Sequence, residues 1–272
     1  MEPESNLSYR APSGTEMSCY DVPQEIIDLI IDYLQDEPIT LKSCCLVSKA
    51  WIQRTRRYLF ANIKFHPLGR RVGRWRITFP DPTGSPAHHT RNLSICHPQL
   101  ITAADVNTLP TFCGVVRLNV DTDLWSDQRV SLVPLHGFSP VLRSLHLTFT
   151  SLPNPEILNL ICSFPILEDL ALVSRSRRHS DVGWNAPLTS PKLTGSLELR
   201  LIEGIQSITN RLFCLPNGFN FTKITVPWLS QGDILSTMRL VSRCSDTLES
   251  LDIANHLSGV FSSVDCARLA TG

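Results

Sequence analysis

The sequence predicts an α/β protein with two parts, a small N-terminal unit of three helices and an irregular solenoid that carries a parallel β-sheet. The first observation is a series of apolar residues at helical spacing over residues 21–60, broken by cap and turn residues. The second is a pair of aliphatic residues, separated by one residue, that recurs at a near-constant interval from residue 93 onward. At 272 residues, the chain is long enough for one or two domains.

Composition and charge exclude several classes of protein. The chain has 25 basic and 25 acidic side chains, so its net charge gives no general attraction to nucleic acid or to a membrane surface. The polar start lacks the apolar segment of a signal peptide, and no later run approaches the roughly 18 apolar residues that span a bilayer. The nine cysteines include no Cys-x-x-Cys pair. We expect reduced thiols in a cytoplasmic or nuclear protein.

The first predicted helix has more apolar surface than its own unit needs. Pro23 suits the first turn, because its missing N–H has no partner to lose there. The helix should end near Gln35, since Pro38 disfavours helical geometry at the residue before it. A single narrow stripe, which we expect to be solvated, holds the polar residues Glu25, Asp28, Asp32 and Gln35. The other outward positions are aliphatic or Tyr33, so the helix has a second apolar stripe.

Two shorter helices complete the N-terminal unit. The second fits residues 40–47, with Thr40 as its cap and with a buried side formed by Leu41, Cys44, Cys45 and Val47. Ser48 can cap the third, residues 49–60. A unit of about 40 residues is at the lower size limit for an independent core. The second apolar stripe is therefore either a protein interface or a surface that packs on the rest of the chain, and the helical pattern favours neither.

The segment VPQEIIDLIIDYL…TLKSCCLVSKAW, which ends at Trp51, resembles an F-box. That family opens with Leu-Pro and an apolar helix, and it closes with Leu-Val-(Ser/Cys)-(Lys/Arg)-x-Trp. Here the opening is Val22-Pro23 and the close is residues 46–51, LVSKAW. The resemblance implies docking on the SKP-type adaptor of an SCF ubiquitin ligase, and through it on a cullin. The adaptor-binding positions that it implies are Val22, Pro23, Ile26, Ile30, Leu46, Val47 and Trp51. Of these, we expect Val47 and Trp51 to have mainly a structural role, because they should pack inside the three-helix unit and close it.

Seven aliphatic pairs follow at intervals of 25 or 27 residues. They are Leu93/Ile95, Leu118/Val120, Leu145/Leu147, Leu170/Leu172, Leu197/Leu199, Ile224/Val226 and Leu251/Ile253. Five have another apolar residue three positions earlier, which gives the L-x-x-L-x-L pattern of leucine-rich repeats. Each pair should lie on a short parallel strand, with both side chains pointing into the core.

Residues 61–67 predict a further first strand, and residues 154–164 and 232–246 have helical spacing. The Asn or Cys usual after the third leucine is mostly missing, so we expect an irregular horseshoe, similar to the degenerate repeats of fungal F-box proteins.

These patterns predict four segments. Residues 1–20 should be a disordered tail, residues 21–66 the helical domain, residues 67–91 a loop or linker, and residues 92–272 the repeat domain. The last pair is followed by less than one repeat, so we expect the repeat domain to be truncated at the C-terminus.

The outward residues of the parallel strands should line one concave face of the sheet. They mix polar types and both signs of charge, which is typical of a protein-recognition surface and also of a solvated sheet face. The positions predicted to bind a protein target are Asn119, His146, Glu198, Arg200, Thr225 and Asp252.

No catalytic motif accompanies these patterns. The chain lacks a Gly-x-Ser-x-Gly elbow, a phosphate-binding glycine loop and a His-Glu-x-x-His sequence. The residues His88, His89, Cys96 and His97 have no zinc-site spacing, and a solvated loop is the favoured interpretation. The same holds for two basic runs, Arg70–Arg76 and Arg175–His179. We therefore expect no enzymatic activity, cofactor or metal, and no nucleic-acid or membrane partner.

Two functions fit these expectations. The first is a substrate-recognition adaptor of an SCF-type ubiquitin ligase, in which the repeat region holds an unknown protein substrate. The second is a protein-protein interaction scaffold that does not support ubiquitin transfer. An enzyme hidden in the repeat region is a third and weaker alternative. Co-purification with a cullin separates the first two.

Overall fold

The computed structural model describes residues 22–66, 71–96, 98, 101–122, 132–149, 154–174, 190–201, 205–229 and 231–255. The fold is α/β, and the chain divides into two compact units, residues 1–59 and residues 60–272. Across those described ranges, none of the helices is both long and apolar enough to cross a membrane.

Three helices form the first unit, as the sequence predicts. They are α1 (Gln24–Tyr33), α2 (Pro38–Val47) and α3 (Lys49–Leu59). Pro38 occupies the first turn of α2, so Thr40 lies inside that helix and is not its cap. Ser48 accepts a hydrogen bond from the backbone N–H of Ala50 at 3.3 Å, in agreement with its predicted role at the start of α3.

The first unit has a small core. Ile27 and Ile31, one turn apart on α1, are 5 % and 0 % exposed, and Leu41 of α2 packs with them. The partly buried residues around these three are Leu34, Trp51, Tyr58 and Leu59. This core uses one face of α1, and the remaining apolar residues of the helix lie outside it.

The second unit is built on one sheet of eight parallel strands in chain order. The strands are β1 (Asn62–Phe65), β2 (Asn92–Cys96), β3 (Arg117–Asp121), β4 (Ser144–Phe149), β5 (Asp169–Ser174), β6 (Ser196–Leu201), β7 (Lys223–Leu229) and β8 (Ser250–Asn255). The helices between them are α4 (Val72–Thr78), α5 (Ala103–Val106), α6 (Asn154–Cys162), α7 (Ile205–Leu212) and α8 (Ile234–Arg243).

The aliphatic pairs stand in register across the sheet. Leu93 pairs with Leu118, which pairs with Leu145, and the same alignment continues to Leu251. From β2 to β7 the paired residues are at most 1 % exposed. Full burial of one such side chain stabilises the fold by about 1.5–3 kcal/mol, so these ladders are a main source of its stability. The predicted parallel strands are thereby confirmed, including β1, which pairs with β2.

The segment expected to be a linker, residues 67–91, contains core structure instead. Its described part, residues 71–91, forms α4 and a short 3-10 turn, Pro86–His89. Val72 and Trp75 of α4 are 5 % and 3 % exposed and belong to the core of the second unit. The first unit also ends earlier than predicted, because the division falls after Leu59 and not after residue 66. The apolar residues of this segment are too few to show a clear helical period, while its Pro and Gly residues are typical of a loop.

Gly114 lies where two segments of the backbone approach closely. A Cβ atom at this position would stand 2.6 Å from the carbonyl oxygen of His88, which is closer than real Cβ contacts come. We expect Gly114→Ala to destabilise the second unit by about 1–3 kcal/mol, because backbone must move to relieve the overlap. Urea unfolding followed by circular dichroism measures this. The control is Gly84→Ala, whose Cβ would meet an Asp81 oxygen at 3.4 Å; equal stability of the two variants would contradict the prediction.

Candidate functional site

The second apolar stripe of α1 faces solvent. Ile26, Leu29, Ile30 and Tyr33 are spaced as i, i+3, i+4 and i+7, so they share one face of the helix. Their exposed fractions are 47 %, 64 %, 43 % and 90 %. Val22, just before the helix, is 44 % exposed. We call these five residues the α1 apolar stripe; it is separate from the face that carries Ile27 and Ile31.

Helix α2 exposes further large apolar side chains. Ile39 and Leu46 are seven residues apart and therefore lie on one side of the helix, where they are 78 % and 88 % exposed. Val47 at the end of α2 is 61 % exposed. Single exposed apolar residues are ordinary, but eight of them within 26 residues of a small unit are the pattern of an interaction surface.

Six of the seven predicted adaptor-binding residues are exposed. Five are the large side chains Val22, Ile26, Ile30, Leu46 and Val47, and the sixth is Pro23. Trp51 is partly buried against the small core, in line with its expected structural share. Val47 differs from expectation, because it points to solvent and does not close the unit from within. The motif did not include Leu29, Tyr33 and Ile39, although helical spacing from Ile26 would have found the first two.

A charged network joins α1 to α3. The Arg54 guanidinium donates to both oxygens of Asp32, with Nε–Oδ1 at 2.7 Å and Nη2–Oδ2 at 2.5 Å, and Tyr58 donates to Oδ1 at 2.6 Å. These bonds hold the pKa of Asp32 at about 2. The expectation that Asp32 is simply solvated is therefore wrong. The sequence separates acids on the first helix from bases on the third, but it does not indicate which of them meet.

The Asp32 network predicts a loss of stability in acid. Because the folded pKa is about 2 and the ordinary value is 3.8, the stabilisation is present above pH 4 and is lost as pH falls toward 2. We expect the protection of the amides in residues 22–59, measured relative to the intrinsic exchange rate at each pH, to fall over that window in the wild type. Asp32→Asn should show weaker protection at neutral pH and less acid-induced change. Hydrogen-exchange mass spectrometry measures both.

Glu25→Gln is the matched control for that experiment. Glu25 lies in the first turn of α1, where no described residue forms an ion pair with it. It should keep the acid response of the wild type. An Asp32→Asn variant with the same acid response as Glu25→Gln would contradict the role given to the network.

The outer face of the sheet aligns five of the six predicted target-binding residues. The strand register connects Asn119 to His146, continues through Ala171 to Glu198, and then to Thr225 and Asp252. Lys64 and Ser94 extend this middle row to β1. Arg200 lies in the next row, in register with Val173. The structure thus places residues that are far apart in sequence along one line across six strands.

The centre of the middle row is partly recessed. His146 is half-buried, and burial lowers the pKa of its imidazole, while nearby Glu198 acts in the opposite direction. Small Ala171 lies between His146 and Glu198 in the register. Glu198 itself accepts a hydrogen bond from Arg200. In register order, the row therefore presents the half-buried imidazole of His146, the small side chain of Ala171 and the Glu198 carboxylate that accepts from Arg200.

Some polar side chains on this face already form hydrogen bonds with side chains of neighbouring strands. Asn119 donates to the Ser94 hydroxyl at 3.3 Å, and Asn92 donates to the Asn62 side-chain oxygen at 2.5 Å. These ladders also occur on solvated sheets, so the register alone does not distinguish a binding face from a solvated one. Thr225 and Asp252, toward the β8 edge, have partly exposed and exposed side chains respectively.

The remaining motifs have structural explanations where they are described. The rings of His88 and His89 lie against each other, with centroids 3.9 Å apart and planes tilted by 50°. The described residues hold no group of three or more metal-ligand side chains. In the first basic run, Trp75 is buried and Arg76 pairs with the buried Asp105 at 3.3 Å. His97, Arg70 and the whole second basic run, residues 175–179, lie outside the described residues.

Comparison with protein-family models gives no match, and neither does comparison with curated proteins. The two surfaces are therefore interpreted from their own geometry and chemistry.

Proposed function

We propose that this protein is a substrate-recognition adaptor of an SCF-type ubiquitin ligase, in which the first unit is an F-box that docks on the SKP-type adaptor. The observation that carries the proposal is the exposed α1 apolar stripe. It coincides with the positions that the F-box resemblance assigns to the adaptor at Val22, Ile26 and Ile30.

The energetics of the first unit support a partner. A three-helix unit whose fully buried apolar core consists of few residues is marginal alone. Each square ångström of apolar surface that a partner covers contributes about 25 cal/mol, so covering the α1 stripe and the α2 residues Ile39, Leu46 and Val47 is strongly favourable. Exposed acids flank the stripe at Glu25, Asp36 and Glu37, and they would form the polar rim of such an interface.

The second unit would then hold the target. We assign this role to the outer face of the sheet, where Asn119, His146, Glu198, Thr225 and Asp252 lie in one row and Arg200 in the next. In this proposal the second unit resembles a leucine-rich-repeat domain of irregular period. The chain itself performs no bond-making step. It raises the local concentration of target lysines near the charged ubiquitin-conjugating enzyme, which is catalysis by proximity.

Co-expression of the full-length chain with tagged SKP-type adaptor and with cullin tests this function. The proposal predicts that both proteins co-purify with the chain, and that the cullin is lost when the adaptor is omitted. Recovery of the adaptor without cullin would favour the scaffold that does not support ubiquitin transfer. Recovery of neither protein would contradict both versions of the adaptor interaction.

A further inference from the structure

A second, separate surface lies on the last described helix. Helix α8 buries Ser236, Thr237 and Leu240 and turns the opposite face to solvent. On that face Leu235 and Met238 are 74 % and 63 % exposed. Neither belongs to the outer face of the sheet or to the first unit, and no function described above uses them.

A shallow groove, largely open to solvent, lies beside this helix. It has a volume of ≈ 620 Å³ and is lined by Phe213, Met238, Arg239, Ser242, Arg243, Ser245 and Asp246. Phe213, which follows α7, supplies an aromatic wall. The Arg239 guanidinium carbon lies over the Phe213 ring, 5.3 Å from its centre, so a cation and an aromatic side chain stand together in the lining.

The charges of the groove favour an anion. Arg239 and Arg243 are four residues apart on α8, so their guanidinium groups lie on one face of the helix. Neither forms an ion pair with any residue that the structure describes. The single acid of the lining, Asp246, accepts a hydrogen bond from the Ser245 hydroxyl at 3.3 Å. Two guanidinium groups against one carboxylate leave the lining with a net positive charge.

We propose that this groove docks a short acidic peptide segment of a partner protein, with Arg239 and Arg243 binding its anionic groups and Leu235, Met238 and Phe213 packing against a bulky apolar side chain. Guanidinium groups form paired hydrogen bonds to carboxylate or phosphate oxygens. The exposed apolar residues explain why a peptide fits better than a nucleic acid, which would require more basic residues. This inference does not depend on the ligase function, because it concerns a different surface.

Selection from a displayed library of random 12-residue peptides on the full-length chain tests the proposal. We expect enrichment of peptides with at least two acidic residues beside a leucine, methionine or phenylalanine. By fluorescence anisotropy, an enriched peptide should bind Arg239→Glu/Arg243→Glu about tenfold or more weakly than wild type. Arg239→Gln/Arg243→Gln, which avoids charge reversal, should also weaken binding, and circular dichroism must show both variants folded.

The matched control is Lys42→Glu/Lys49→Glu, which makes the same change of charge on exposed residues of the first unit. It should bind the peptide as the wild type does. Versions of the peptide with phosphoserine in place of glutamate show which source of anionic oxygen binds more tightly. Lack of acidic enrichment, or equal binding by wild type and both arginine variants, would overturn the proposal.

Discussion

Replacing Ile26 and Ile30 together by aspartate should weaken binding of purified SKP-type adaptor by about 100-fold or more, since central interface residues commonly contribute 2 kcal/mol or more each. Both side chains lie on the α1 apolar stripe, are 47 % and 43 % exposed, and do not belong to the small core. The substitutions would bury two carboxylates against an apolar partner without disturbing Ile27 and Ile31. Surface plasmon resonance with immobilised adaptor and full-length chain measures the change.

Ile77→Asp is the matched control for the stripe. Ile77 of α4 is 75 % exposed and lies in the second unit, so the same substitution should leave adaptor binding unchanged. Circular dichroism must show equal helical content in all variants. Wild-type affinity in the Ile26→Asp/Ile30→Asp variant would show that the adaptor binds elsewhere or that the stripe has another purpose.

The second large effect is on stability. Leu172→Ala should destabilise the second unit by about 2–5 kcal/mol, because it leaves a cavity in a closely packed core. Leu172 is 0 % exposed and stands in register between Leu147 and Leu199 near the centre of the sheet. Urea unfolding followed by circular dichroism measures the free energy of unfolding.

The neighbouring residue provides the comparison. Val173 follows Leu172 on β5 but faces the other side of the sheet, where it is partly exposed. We expect Val173→Ala to change the free energy of unfolding by no more than about 1 kcal/mol, since it makes no enclosed cavity. If Val173→Ala cost as much as Leu172→Ala, the inward and outward assignment of β5 would be incorrect.

The strands could be predicted because repetition multiplies a weak signal. One Leu-x-Leu pair is uninformative, but seven at intervals of 25 or 27 residues are specific, and they fall in register in the structure. The α7 helix was not predicted, although Ile205, Ile208, Thr209 and Leu212 are buried at i, i+3, i+4 and i+7. That signal is present in the sequence, and only its short length concealed it among the loops.

For the first unit, the sequence predicts the exposed apolar stripe but not the contacts between its helices. The excess of apolar residues on α1 is visible in the sequence, because a helix needs only one buried face, and the structure divides them into Ile27 and Ile31 inside and the stripe outside. The contact of Asp32 with Arg54 depends on how α1 and α3 pack, which no local pattern specifies. Nor does a local pattern specify that the Val47 side chain faces solvent, because this depends on where α2 ends.

The row of outward residues follows from the register. Once the strands are parallel and the period is nearly constant, equivalent positions such as His146 and Glu198 must align, with Ala171 between them. What the sequence could not supply is the local chemistry, such as the partial burial that lowers the pKa of His146. If the face binds a target as proposed, that chemistry would determine which targets it accepts.

The central claim is that the α1 apolar stripe docks on an SKP-type adaptor. Isothermal titration calorimetry of the full-length chain with purified adaptor, at two or more temperatures, tests it most directly. The account predicts one-to-one binding with a negative heat-capacity change, because the α1 apolar stripe leaves water on association. Absence of both heat and co-elution at high micromolar concentrations of a folded chain would contradict it, and the exposed stripe would then need a different partner.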